Sequence, residues 1–284
     1  MSDIRLYTPV EPIRGTCGIS RDDRITMLGS CFTDNIGECL RRDGFDVQAN
    51  PLGVLFNPAS IATIMRRALA SKEFTHDDLV FHDSRWHCLY LNTRYSDTDA
   101  DALLERLNAD IKALGRRLAS DSIWIITFGT AWVYTYKAGN YIVGNCHKIP
   151  QSAFERTRLD IDTIVAEWKE LCRDKRVIFT VSPVRHLADG LHGNNLSKAV
   201  LHLATERIIS ECPSAEYFPA FEIVCDQLRD YRFYDRDLKH PSPMAIDIVY
   251  DFFANTYFDK DTQQQAIQYR SEKLRALHRP IIEQ

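Results

Sequence analysis

The sequence predicts an α/β protein with a mainly parallel sheet flanked by helices, on three observations. Strand-like and helix-like segments alternate along most of the chain, the arrangement in which crossover helices connect parallel strands. One run, Ile123-Trp124-Ile125-Ile126-Thr127-Phe128, is almost continuously apolar, as a strand in the centre of such a sheet must be. The 284 residues, 45% hydrophobic and 26% charged, supply enough apolar surface for a substantial core.

Taken in order, Ile25 to Leu28 reads as the first strand and Asp34 to Arg42 as the first helix, with Gly44 to Val47 as a second strand. The stretch Asn50-Pro51-Leu52-Gly53-Val54-Leu55-Phe56-Asn57-Pro58 holds two prolines, two asparagines and a glycine, which makes a stiff, shaped loop. Ser60 to Ala70 follows as a helix, because Ile61, Ile64, Met65 and Leu69 fall on one face. Residues 73 to 95 mix aromatics with His76, His82 and His87 and read as an insertion. With the helix expected from Asp99 to Leu118, the inserted region spans about residues 73 to 120. After the central strand, Val133 to Lys137 and Tyr141 to Val143 read as a hairpin around Ala138-Gly139-Asn140. Asp160 to Arg173 is helical, Arg176 to Val181 is a strand, and Ser197 to Ser210 is helical again. Ala215 to Pro219 is a last short strand, and helices over Met244 to Phe258 and Gln263 to Leu277 close the chain. There is no internal repeat and no low-complexity linker. A single domain is therefore expected, with a core over about 24–258 and a helical extension over about 259–284.

Bulk properties exclude several function classes. The net charge of −4, from 35 basic and 39 acidic side chains, gives no nucleic-acid footprint, and no polybasic tract points to a membrane surface. The amino terminus lacks the apolar run of a signal peptide and no later segment is long enough to span a bilayer, so a cytoplasmic protein is expected. The eight cysteines form no C-x-x-C pair, and His76, His82 and His87 match no metal motif. Neither a metal nor any other cofactor is expected.

The stretch Met27-Leu28-Gly29-Ser30-Cys31-Phe32-Thr33-Asp34 draws attention because it joins a strand to a helix. A serine on such a sharp turn is lifted above the sheet, beside a helix N-terminus that favours developing negative charge. A helix cap would explain Ser30 equally well by itself. Two hundred residues downstream, Asp237-Leu238-Lys239-His240-Pro241-Ser242 puts a carboxylate and an imidazole on one loop. A serine hydroxyl becomes a nucleophile when an imidazole accepts its proton and a carboxylate orients that imidazole. A three-residue separation lets Asp237 and His240 meet across one turn, with Asp235 as a neighbouring alternative. Cys31 reads as a packing residue beneath the turn.

Gly29-Ser30-Cys31-Phe32 resembles the signature of the GSCFA family, a branch of the SGNH (GDSL-like) hydrolases. Further blocks of resemblance are Asn50 to Gly53, Asn57-Pro58, Thr127 to Trp132, Asn145 to Pro150, Ser182 to His186, Asp230 to Tyr234, and His240-Pro241-Ser242. The resemblance implies a flavodoxin-like three-layer α/β/α sandwich of about five strands. It also implies a Ser-His-Asp centre in which Ser30 is the nucleophile, His240 the general base and Asp237 the orienting carboxylate. By the same resemblance an oxyanion hole is built from the Ser30 N–H, Gly53 and an asparagine after the third strand. Here that block reads Gly129-Thr130-Ala131-Trp132, without the asparagine. The third donor is left open among Thr130, the Trp132 indole, Asn57 and Asn145. Trp132, His147 and Arg185 are candidate substrate contacts, with an ion pair to Asp230 or Glu222 as the structural alternative for Arg185.

The activity so implied is a serine esterase or deacylase working through an acyl-Ser30 intermediate. Its substrate is a small-molecule or saccharide acyl ester. An O-acyltransferase using the same three residues is a second reading. A binding domain that has lost turnover is a third, supported by the missing asparagine.

Overall fold

The computed structural model describes residues 7–11, 15–120, 122–144 and 147–277. Its frame is a parallel sheet of five strands: β1 (Arg24–Gly29), β2 (Asp46–Ala49), β6 (Ser122–Phe128), β10 (Val177–Val181) and β11 (Ala215–Tyr217). They lie in the order β2-β1-β6-β10-β11, one of the common doubly wound arrangements. Residues 73–119 contribute β3 (Leu79–His82), β4 (Arg85–Cys88) and β5 (Ser96–Asp97), a separate antiparallel sheet. A second small sheet follows β6 and consists of β7 (Trp132–Tyr136), β8 (Tyr141–Val143) and β9 (Phe154–Arg158). The sequence indicates β7 and β8 but not β9, whose Phe-Glu-Arg-Thr-Arg is mostly exposed and lacks an apolar face.

The described residues also form eight α-helices: α1 (Cys31–Arg42), α2 (Pro58–Leu69), α3 (Ala100–Ala119), α4 (Ile161–Leu171), α5 (Gly190–Glu211), α6 (Ala220–Glu222), α7 (Pro243–Tyr257) and α8 (Lys260–Leu277). Side-chain alternation along the strands sorts them into two outer layers. Trp124, Ile126 and Phe128 of β6 and Phe179 of β10 pack against α2, α3, α4 and α5. Ile123 and Ile125 of β6, Ile178 of β10 and Ile25 and Met27 of β1 pack against α1, α6 and α7. This is a three-layer α/β/α sandwich. The helix starts follow from capping: Asn57 accepts from Ser60 N–H, Asp99 from Asp101 and Ala102, Asp160 from Thr163, and Ser242 from Ala245. Helix α5 begins seven residues earlier than its apolar pattern predicts, because its first two turns bury polar side chains.

Because the strands run parallel, their carboxyl ends emerge along one edge. Gly29 pairs with Thr127, and Phe128 with Val181, at the last rungs of the ladders. Ser30, Asn50, Gly129 and Ser182 follow directly. Open α/β sheets bind ligands along this edge.

Candidate active site

The turn carrying Ser30 depends on its glycine. Gly29 has φ of 152°, and a Cβ there would run into the Thr127 carbonyl of the neighbouring strand. Asn50, itself left-handed at φ 43°, braces the turn. Its Oδ1 accepts from the Gly29 N–H at 2.9 Å, and its Nδ2 donates to Asp34 at 2.9 Å and to the Ser30 carbonyl at 3.4 Å. Burial pushes the Asp34 carboxyl up, against the opposing pull of Asn50 and Arg41. Ser30 then caps α1 by position, without a side-chain capping bond. Its hydroxyl, in a residue only 1% exposed, donates instead to Ser182 Oγ at 2.9 Å.

The second half of the site is the loop between Tyr234 and Ser242. Asp237 Oδ1 accepts from the backbone N–H of Lys239 at 2.9 Å and of His240 at 3.0 Å, while Oδ2 meets His240 Nδ1 at 2.6 Å. The two backbone donors and the imidazole together hold the Asp237 carboxyl well below the usual carboxylate range. With the Nδ1 proton committed to Asp237, Nε2 of a neutral His240 is an acceptor. The carboxylate-imidazole pair is therefore preformed, and its His240 lines a cleft together with Cys31, Asp34, Asp235 and Pro241, a lining that includes neither Asp237 nor Ser30. Cys31 is half-buried and lines this cleft, a correction to its expected place beneath the turn. Among the described residues Ser30 and His240 share no hydrogen bond.

One segment touches both halves. Ser182 takes the Ser30 hydroxyl, and three residues on the Arg185 N–H donates to the Lys239 carbonyl at 3.2 Å. The Arg185 guanidinium stacks on Tyr234 at 4.2 Å and Tyr231 at 5.4 Å, behind the Asp237–His240 loop. The alternative ion pair with Asp230 or Glu222 is not made: Asp230 pairs with Arg232, and Glu222 lies with Tyr217 and His202.

The remaining expected donors lie as follows. The Ser30 N–H reaches the Thr127 carbonyl at a long 3.3 Å, and the Gly53 N–H donates to Asn50 at 2.8 Å within a tight turn. The Thr130 hydroxyl shares a 3.1 Å bond with Ser197 and accepts the Trp132 N–H. Asn57 is engaged with Ser60 through both its amide atoms, and Asn145 lies outside the described residues. The Trp132 indole nitrogen is buried and has no partner, with the Arg156 guanidinium 3.9 Å from the ring centre. His147 lines a different cavity, with Tyr134, Phe154 and Ile149, that includes neither Ser30 nor His240.

Sequence reasoning misses Lys198. It sits on α5, buried, and its Nζ donates to the carbonyls of Gly129 at 2.7 Å and Ser182 at 2.6 Å. Burial pulls its amine down to about 7. Asn194 and Ser197, on the same face of α5, accept from the N–H groups of His186 and Ala131. A lone lysine in a helix is ordinarily a solvated one, and only the spacing Asn194, Ser197, Lys198 hints otherwise. His186 is half-buried, and its Nε2 is buried without a partner. Burial first, then Lys198 and His240, lower its pKa to about 4.

Fold and site thus define a doubly wound α/β protein that presents a serine turn and an Asp-His loop at the carboxyl edge of its sheet. The model of the GSCFA family matches residues 24–253, most of the chain, and the protein belongs to that family. No curated protein and no solved structure matches it. Among the described residues no helix is long and apolar enough to cross a membrane.

Proposed function

We propose that the protein is a serine hydrolase of SGNH type acting on ester bonds. Membership of the GSCFA family supports a hydrolase-like activity. The observation that carries the reading is the preformed Asp237–His240 pair, 2.6 Å between carboxylate and Nδ1, whose His240 lines a cleft together with the residue that follows Ser30. In this mechanism the Ser30 hydroxyl turns about χ1 from Ser182 toward His240 Nε2, which takes its proton as Oγ attacks the acyl carbonyl. Asp237 stabilises the imidazolium so formed. On this reading the Ser30 N–H, weakly held at 3.3 Å, is the first donor to the tetrahedral oxygen, and the Trp132 indole N–H is a buried donor left without a partner. His240 then protonates the leaving alcohol, and water releases the acyl group by the same route. Small acyl esters, O-acylated saccharides among them, are the substrate class that the family resemblance implies.

A second reading, a domain that binds acyl esters with little turnover, is favoured by the Ser30 hydroxyl resting on Ser182. A fluorophosphonate probe decides between them. The hydrolase reading expects stoichiometric labelling of the wild type and none of Ser30→Ala. Labelling that survives the substitution overturns Ser30 as nucleophile, and an unlabelled wild type favours the binding reading. Hydrolysis of p-nitrophenyl acetate with and without a sugar acceptor separates hydrolysis from acyl transfer.

A further inference from the structure

The carboxyl ends of β6 and β10 present a problem of unpaired backbone. Past the rung that joins Phe128 to Val181 the two chains diverge, so the Gly129 and Ser182 carbonyls have no strand partner although both lie in the interior. Lys198 caps both with one nitrogen. Farther along α5 the buried residues become Leu201, Ala204, Thr205 and Ile208, a mostly apolar set, so the hydrogen-bonded polar side chains gather at the edge that carries Ser30.

Capping alone does not call for a lysine. A shorter neutral side chain could cap either carbonyl singly, whereas withdrawing an ammonium from water costs several kcal/mol. What distinguishes this position is the next bond in the series. The residue whose carbonyl Lys198 holds is the one whose side chain receives the Ser30 hydroxyl, and Ser182 Oγ also accepts the Val184 N–H at 3.3 Å. We infer that Lys198 is a positioning residue for Ser30: by tying Gly129 to Ser182 it fixes the Ser182 side chain, and through it the orientation of the Ser30 hydroxyl. The inference rests on the reading of Ser30 as nucleophile only for its effect on rate. Its structural content stands apart.

Three variants test it. Lys198→Met removes the donors at similar volume, Lys198→Gln keeps a shorter neutral donor in case the first does not fold, and Ser182→Ala leaves Lys198 in place. The expected result is a fall of at least tenfold in the rate constant for fluorophosphonate labelling of Ser30 in Lys198→Met and in Ser182→Ala. KM for p-nitrophenyl acetate is expected to stay within twofold, and the Lys198→Met/Ser182→Ala double variant to be no slower than the slower single one. Wild-type labelling rates in any folded variant overturn the inference. So does a double variant whose losses multiply, since Lys198 would then act by a route other than Ser182. Crystal structures of the wild type and a folded Lys198 variant give a readout without activity: the contact between the Ser30 and Ser182 hydroxyls is expected in the wild type and lost in the variant. Its persistence refutes the positioning role even if the wild type proves unreactive, an outcome that by itself would overturn only the hydrolase reading.

Discussion

Replacing Lys198 with methionine is expected to change stability in a way that depends on pH, and the sign follows from linkage. The amine titrates near 10.5 when solvated and near 7 in the fold, because burial disfavours its charged form. Between those values the unfolded chain holds a proton that the folded protein has released, so raising the pH favours folding. The contribution is fully present above the solvated value and is lost as the pH falls to about 7. Each pH unit in the window is worth about 1.4 kcal/mol, and the full window about 5 kcal/mol. Methionine removes this dependence but strands the Gly129 and Ser182 carbonyls, at about 1–3 kcal/mol each. The two effects nearly cancel at neutral pH, where the substitution should look almost silent. By pH 9 the wild type should be ahead by about 2 kcal/mol more than at pH 7, since the folded amine is still half protonated at the lower pH. Urea denaturation of both proteins under reducing conditions at pH 7, 8 and 9 measures the difference. The groups facing Lys198 (Cys31, Cys225, His186 and His202) are common to both proteins and largely drop out of the comparison. A difference that does not move with pH refutes the reasoning, because Lys198 would then titrate in the fold as it does in water.

Two further outcomes follow from the turn and the loop. Gly29→Ala should destabilise the protein by roughly 2 kcal/mol or more, seen as a lowered Tm, because the added methyl meets the Thr127 carbonyl in a backbone conformation that L side chains avoid. A Tm equal to that of the wild type would show that the turn has room to relax. Asp237→Asn keeps an oxygen for the Lys239 and His240 N–H groups and should leave Tm nearly unchanged. On the hydrolase reading it should slow ester hydrolysis by about four orders of magnitude through loss of the carboxylate paired with His240. Retained turnover would remove Asp237 from its role.

What the sequence reveals and what it hides divide along the range of the interaction. The strand at 122–128 and the parallel sheet are legible because an apolar run is a local property. The pairing of Asp237 with His240 is legible for the same reason, since three residues of separation and one turn bring them within 2.6 Å. β9 is not, because it adds an exposed polar edge to the hairpin and obeys no alternation. Ser182 and Lys198 are hidden more deeply. The contact between Ser30 and Ser182 spans 152 positions, and whether Lys198 faces solvent or the sheet edge depends on how α5 packs. Arg185 shows a related limit: its charge suggests a carboxylate, but the flat guanidinium is satisfied by the faces of Tyr231 and Tyr234.

These long-range contacts explain how two dissimilar halves are held in register. The half that carries Ser30 is buried: Ser30, Ser182 and Lys198 are joined by bonds inaccessible to water. The other half is a loop whose Asp237 and His240 side chains are each 43% exposed, and bonds so open to solvent fix a geometry poorly. The loop is closed by its own bridge between Tyr234 and Pro241 and by the Asp235 N–H on the His240 carbonyl, and it is tied to the other half through Ser182-Pro183-Val184-Arg185. Pro183 limits the backbone of this segment, the Ser182 end is locked by Lys198, and the Arg185 end holds the Lys239 carbonyl and stacks beneath Tyr234. The four residues therefore act as a short strut between hydroxyl and imidazole. A change within the strut is expected to move both groups at once, and a change in either half alone to leave the other where it was.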